Sequence, residues 1–361
     1  MPAADATPPL PDPQSLLAEL VAAPGPPGQE DAVRNAVAAH IRSLGLPARV
    51  DAKGNLLTAA APALPERPRV VVTAHLDEIA LIVTGIEMDG ALRVAPLGGA
   101  HPWKWGEGPV EVLASRGTLP AVLSFGSIHT TSPFSPAQQA REGRALTWDA
   151  ARLWTGLEAA ELVKAGVRPG TRAVLARARR TLWQMGGGLV ASYFLDDRAD
   201  LVSWLLALAS LPSDTGSGVL FAATTSEEVG GEGAQFLLQS LPAPPEVVVA
   251  LEIGPRTPDA DFPLDANPTV WVTDTFATSA PRDLDLLAAA AGEVRLEVRW
   301  QAVTRGGSDA TCVAARGLCA RPVTLAFAAE NSHGFEIMHQ DAPAALARLL
   351  VAYLERLARE G

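Results

Sequence analysis

Cysteine is scarce in this sequence: Cys312 and Cys319 are the only two in 361 residues. Two cysteines cannot build the disulfide framework of a small secreted scaffold. Basic charge is also short. Against 40 Asp and Glu stand 29 Lys and Arg, a formal net charge of −11. That balance argues against the broad basic face needed for a nucleic-acid or anionic-membrane partner. No run is long and apolar enough to span a bilayer. The opening MPAADATPPLPDP lacks the basic-then-apolar order of a secretory signal, so the expected location is a reducing cytoplasm. Glycine and proline, 31 and 30 residues, stay below the roughly 25–30% that marks low-complexity disorder.

What is present is a core. Hydrophobic residues make up 48% and charged residues 19%, a soluble globular profile. The length suits two domains, or one domain carrying an insertion. Residues 1–13 read as a loose, proline-rich tail. Helices are expected at 15–22, where Leu16, Leu17, Leu20 and Val21 share a face, and at 31–44; PGPPGQE separates them. RVVVTAHLDEIALIV, residues 69–83, reads as a buried strand, a polar turn and a second strand. Continuous β-branched runs of this kind fit a sheet covered on both faces.

From 89 to 188 the texture changes. Short pieces such as PVEVLA, LPAVLSF and TRAVLARA alternate with Gly and Pro turns, as in a small β-rich domain. One helix is expected there at 155–165, and Gly186–Gly188 reads as the hinge back. The domains are thus 1–88 and 189–361, two parts of one unit, with 89–188 inserted. The α/β pattern then returns. Helices are expected at 199–211, in GGEGAQFLLQSL, in DATCVAARG and at 343–360; strands are expected at 218–225, 246–252, 269–273 and 294–300. The last helix carries Leu346, Leu349, Leu350, Tyr353, Leu354 and Leu357 at helical spacing.

Polar groups recur at strand ends. His75 and Asp77 follow RVVVTA, Glu227 and Glu228 follow LFAATT, and Glu252 ends EVVVAL. In open α/β sheets ligands gather beyond the carboxyl ends of the strands. FLDDR places Asp196 and Asp197 just before a helix, and ENSHGFE places His333 in a loop. Two imidazoles and three or four carboxylates, without thiolate, suit two divalent ions such as zinc, cobalt or manganese. A shared carboxylate would hold them about 3.5–4 Å apart. In the pair Glu227–Glu228, one carboxylate can bind metal while its neighbour takes a proton from a bridging water. Singly, each residue has a plainer role: a helix cap for Asp196 or Asp197, a helix-dipole partner for the glutamates, a structural hydrogen bond for His75. Jointly, those roles would have to place acceptors at one sheet edge by accident. Glu252 is the hardest to explain plainly, since an unpaired charge ending so apolar a strand is costly.

PGPPGQE, DAKGNL, HLDEIALIV, FLDDR, TTSEEVGGEGA, the strand before Glu252, RGGSDA and SHG occur in an order that resembles the dinuclear metal aminopeptidases of the glutamyl/tetrahedral aminopeptidase family, some once labelled cellulases. The resemblance covers nearly the whole chain. It implies an α/β fold: a mixed sheet flanked by helices, a phosphorylase/hydrolase-like metallopeptidase core, with a small β-rich domain inserted. It implies that His75 and Glu252 bind one ion and Glu228 and His333 the other, with Asp196 bridging. Asp77 would orient His75, and Glu227 would be the general base and then acid. Gly306, Gly307, Ser308 and Asp309 would sit near the site at a helix N-terminus. Two features depart from the family pattern. Glu252 stands where Asp is usual, and Glu330 and Asn331 stand where an Arg-Tyr pair is usual, which leaves His339 as a rival to His333. The implied activity is removal of N-terminal residues from short peptides by a homo-oligomer. A metal-dependent deacylase or carboxypeptidase is the alternative within enzymes, and a non-catalytic assembly protein the alternative outside them; a glycosidase would need flanking carboxylates and no metal.

Overall fold

The structure, a computed structural model, describes residues 10–360. Most of the tail expected at 1–13 lies outside the described residues. Within them, Asp12 caps the first helix, Pro13–Ala22, by accepting the N–H groups of Gln14 and Ser15, and Pro13 takes the first helical position, where its missing N–H costs nothing.

An 11-stranded mixed sheet forms the larger unit. At its centre Val219–Thr224, Val70–His75, Val247–Pro255 and Arg321–Glu330 run parallel, in that order. Antiparallel strands extend both sides, including Phe335–His339 and Leu189–Tyr193. The first three central strands are wholly or almost wholly buried, as their unbroken β-branched runs require. One face carries the helices Pro13–Ala22, Asp31–Ser43, Leu195–Ser210 and Ala342–Arg359, packed through Leu16, Val37, Trp204, Leu205, Leu350 and Tyr353. The other face carries Glu232–Ser240 and Asp309–Ala314 through Leu237, Leu238 and Val313.

Six strands close into a separate barrel: Ala80–Ile86, Leu92–Leu97, Gly108–Ala114, Gly117–Ser124, Arg152–Trp154 and Arg172–Leu175. Its interior is filled by Leu81, Val83, Val110, Val112, Leu123, Leu153 and Leu175. The barrel starts before residue 89, because Ala80–Ile86 belongs to it. Val70–His75 has a parallel partner on each side, so the next strand finds no free edge and must leave the sheet. The chain is also back before Gly186–Gly188: Trp183–Gln184 already pairs with Leu189–Tyr193, and the glycines form the turn between them. The strand expected at 294–300 is only Arg299–Ala302, preceded by an unforeseen helix, Pro281–Glu293. The helix expected at 155–165 is the shorter Ala159–Lys164.

Both crossings between sheet and barrel pass one buried ionic cluster. Glu78, on the outgoing connection, pairs with Arg180, on the returning one, and with Arg198 of the helix Leu195–Ser210; all three are fully or almost fully buried. The two guanidinium groups also donate to the carbonyls of Leu20, Val21 and Ala23, at the C-terminal end of the first helix, where carbonyls lack a full set of intrahelical partners.

Candidate active site

His75 ends its strand at the carboxyl edge of the sheet, and Glu252 lies in the neighbouring strand Val247–Pro255, two residues past Ala250, which pairs with Thr73. Glu227 and Glu228 follow Val219–Thr224 in an irregular segment that ends before the helix at Glu232. They are therefore not first-turn residues, which removes the helix-dipole explanation. Asp196 and Asp197 have non-helical backbones at the start of Leu195–Ser210, and Asp197 gives one carboxylate oxygen to the His75 N–H. His75, Asp196, Glu227, Glu228, Glu252 and His333 meet around one cavity of about 370 Å³, while Asp197 is fully buried behind it.

Two donor groups share Asp196. One is His75, Asp196, Asp197 and Glu252; the other is Asp196, Glu228 and His333, and in each the donor atoms lie within 4.8 Å of one another. His75 Nε2 is 3.0 Å from Asp196 Oδ1, while His333 Nε2 is 3.4 Å from Asp196 Oδ2 and 3.6 Å from Glu228 Oε1. The other nitrogen of each ring is occupied by backbone. His75 Nδ1 is 3.0 Å from the Asp77 carbonyl and His333 Nδ1 is 3.3 Å from the Gly99 carbonyl. Such bonds fix the tautomer and leave Nε2 free for an ion.

Asp77 is fully buried and organises three positions at once. Its Oδ1 accepts the Glu227 N–H at 2.9 Å, its Oδ2 accepts the Glu228 N–H at 3.0 Å, and Oδ1 lies 3.6 Å from His75 Nδ1. Asp197 Oδ2 accepts the His75 N–H at 2.6 Å. Glu336 was not foreseen, yet one oxygen accepts the Asp196 N–H at 3.1 Å and the other the His333 N–H at 2.9 Å. Its only sequence signal is an acid on the same strand face as the buried Met338.

The charges conflict without a cation. Burial pushes Glu228 up to about 7 and Glu336 up to about 8, and raises Glu227 and Glu252 well above the usual carboxylate range. Asp196 is also opposed by burial, but His333 and His75 hold it below its ordinary value. Glu228 raises the His333 imidazole well above the usual histidine range. Burial opposes the charged form of His75, yet Asp197, Asp196 and Asp77 raise it. Crowded, desolvated carboxylates with opposed titrations mark a functional site, and here the relief they call for is positive charge. All donors are nitrogen or oxygen, which suits zinc, cobalt or manganese. Cys312 also lines the cavity, but burial pushes its thiol up to about 12, which keeps it from acting as a thiolate ligand.

The other expected residues divide between the cavity and the rest of the fold. His339 pairs opposite Leu189 at the far end of its strand and belongs to neither donor group among the described residues. Gly306 and Gly307 line the cavity, as do Trp271, Phe276, Val303 and Arg305, which were not foreseen. Ser308 and Asp309 are turned into the fold: the Ser308 hydroxyl is 2.7 Å from Thr324 Oγ1, and Asp309 accepts from Thr224 at 2.6 Å.

Residues 54–349 match the model of the M42 glutamyl aminopeptidase family. A lysyl aminopeptidase of Pyrococcus furiosus is 26% identical over 240 residues, covering 66% of this chain and 65% of that enzyme. Among solved structures, the TET1 peptidase of Pyrococcus horikoshii, which assembles into a tetrahedron or a large octahedral shell, is 26% identical with a TM-score of 0.80 over 94% of this chain and 98% of its own. An aminopeptidase of the archaeon Desulfurococcus kamchatkensis shares the fold at 23% identity, with a TM-score of 0.83 over 95% and 94%. The chain belongs to the M42 glutamyl aminopeptidase family.

Proposed function

We propose that the chain is a two-metal aminopeptidase that removes N-terminal residues from short peptides. The observation that carries this is the pair of donor groups joined at Asp196, with Glu227 beside them in the same cavity and in neither group. His75, Asp196 and Glu252 would hold one divalent ion, zinc first among the candidates, and Asp196, Glu228 and His333 the other. When bound, such a pair polarises the scissile carbonyl and makes water acidic enough to attack near neutral pH.

The protein supplies the rest. Glu227 takes the proton of the attacking water and delivers it to the leaving amine. Its burial favours this exchange, because a carboxyl pushed upward holds a proton more readily. Asp77 keeps the Glu227 and Glu228 backbones and the His75 ring in register. Trp271, Phe276 and Val303, with Ile253 and Pro255, belong to the apolar part of the cavity wall, a surface for the substrate side chain. We further propose a homo-oligomer, by analogy with the closed assembly of the TET1 peptidase, and a cytoplasmic location, from the scarcity of cysteine.

A panel of aminoacyl chromogenic substrates, each with a free and an acetylated amino terminus, tests the reading. Cleavage restricted to free termini is expected. Equal chromophore release from acetylated substrates would show an amide hydrolase that needs no free amino terminus, release of acetate without chromophore would identify a deacylase, and no cleavage of any member would overturn the aminopeptidase reading.

A further inference from the structure

The barrel is joined to the donor set at three points, all within residues 98–104. Gly99 lies against the His333 imidazole: its carbonyl is 3.3 Å from Nδ1, and a Cβ added there would stand 2.6 Å from Cε1. Gly98, at φ +72, lies against Glu228, and a Cβ there would be 3.0 Å from both Cβ and Oε2 of that side chain. Lys104, in the short helix Pro102–Trp105, donates to Asn331 Oδ1 at 2.5 Å, and its stem would be 3.0 Å from a Cβ on Gly334. Asn331 and His333 both have left-handed backbones, at φ 63 and 58, which non-glycine residues keep only where neighbours hold them. The other donor group has different support. His75 and Glu252 rise from central strands of the main sheet, and the His75 ring and backbone are held by Asp77 and Asp197.

We infer that segment 98–104 of the barrel positions Glu228 and His333, so that one of the two ions depends on the barrel and the other on the sheet and the start of the helix Leu195–Ser210. The inference rests on the two-metal reading and adds an asymmetry to it. Gly99, Lys104 and Gly98 are positioning residues that act through the ligands. The Gly99 carbonyl also selects the tautomer that presents His333 Nε2 to Asp196 and Glu228.

Gly99→Ala is the decisive variant, because Gly99 is not in the left-handed region. The added methyl therefore strains only the contact with His333. Lys104→Met removes the tie to Asn331 while keeping an unbranched stem, and Lys104→Arg restores a donor. Zinc and cobalt stoichiometry and affinity are measured by titration of metal-stripped protein, beside thermal unfolding. The expected result is two ions for the unaltered chain and, in both Gly99→Ala and Lys104→Met, one ion with unchanged affinity and one weakened roughly 10–100-fold, the usual effect of losing an outer support. Lys104→Arg is expected to recover part of the loss. Two ions with unchanged affinities in folded Gly99→Ala or Lys104→Met, or equal weakening of both ions, would overturn the inference and leave the two-metal reading intact. An unaltered chain that binds no ion would overturn that reading itself. If Gly99→Ala does not fold, Lys104→Met decides by the same criteria.

Discussion

Replacing Glu227 by Gln separates proton transfer from everything else at the site. The carboxylate makes no hydrogen bond or ion pair among the described residues, so an amide in its place strands no partner. The backbone on either side stays fixed, because Asp77 accepts the N–H groups of Glu227 and Glu228. Little stability should therefore be lost through broken contacts, since no packed or paired feature is removed, and the change that remains is electrostatic. Its sign should be favourable near neutral pH: burial, with Asp309, Glu228 and Asp77 nearby, raises Glu227 well above its ordinary range, and the amide removes that cost. Turnover is expected to fall roughly 10²–10⁴-fold, the share of a general acid–base, or about 2.7–5.4 kcal/mol of barrier. Bound metal should stay at the level of the unaltered chain. Glu228→Gln should behave in the opposite way. Its carboxylate faces His333 in a donor group, so the loss should fall on metal affinity, by at least about tenfold. The assays are steady-state hydrolysis of an aminoacyl substrate and elemental analysis of dialysed protein. Full turnover in Glu227→Gln would refute the proton-transfer role. Loss of metal there with retention in Glu228→Gln would show the roles reversed.

Metal affinity should weaken on acidification. His75 and His333 are raised above the usual histidine range in the ion-free chain, so protons compete with the ions before pH falls to about 6.5. The loss should be about tenfold per unit for each proton displaced, and equal affinities at pH 8 and pH 6 would contradict this. Glu78→Gln should destabilise the chain by about 3–5 kcal/mol, because Arg180 and Arg198 would remain buried without their counter-charge; an unchanged urea midpoint would show that the cluster contributes nothing. Light scattering should return a multiple of 37.6 kDa, and the single-chain mass at working concentration would exclude the oligomer.

The sheet-edge residues were legible because each interrupts or ends an apolar run. A histidine or glutamate closing RVVVTA or EVVVAL has little reason to be there unless a ligand or partner meets it. The supports were less legible for the opposite reason. Glu336 belongs to a five-residue strand, too short for one acid to stand out against its pattern. Gly99 meets His333 across 234 positions, and nothing local in LGGAH announces that contact. The misplaced strand at 294–300 shows the limit of period-two patterns. Val294, Leu296 and Val298 alternate as a strand would, yet they lie between a helix and the strand Arg299–Ala302, packed at the margin of the main core. The domain boundary was missed because HLDE reads as a turn between neighbouring strands, whereas both edges of the first strand are taken by segments more than a hundred residues later.

Titration of activity against bound metal tests the central claim most directly. The protein is stripped with a chelator and zinc is restored stepwise, with cobalt and manganese in parallel, while bound ions and cleavage of a free-amino-terminal substrate are read from the same samples. Activity absent from the stripped chain and complete when two ions are bound is the predicted result. Full activity in the stripped chain, or two bound ions without cleavage of any substrate in the panel, would contradict it.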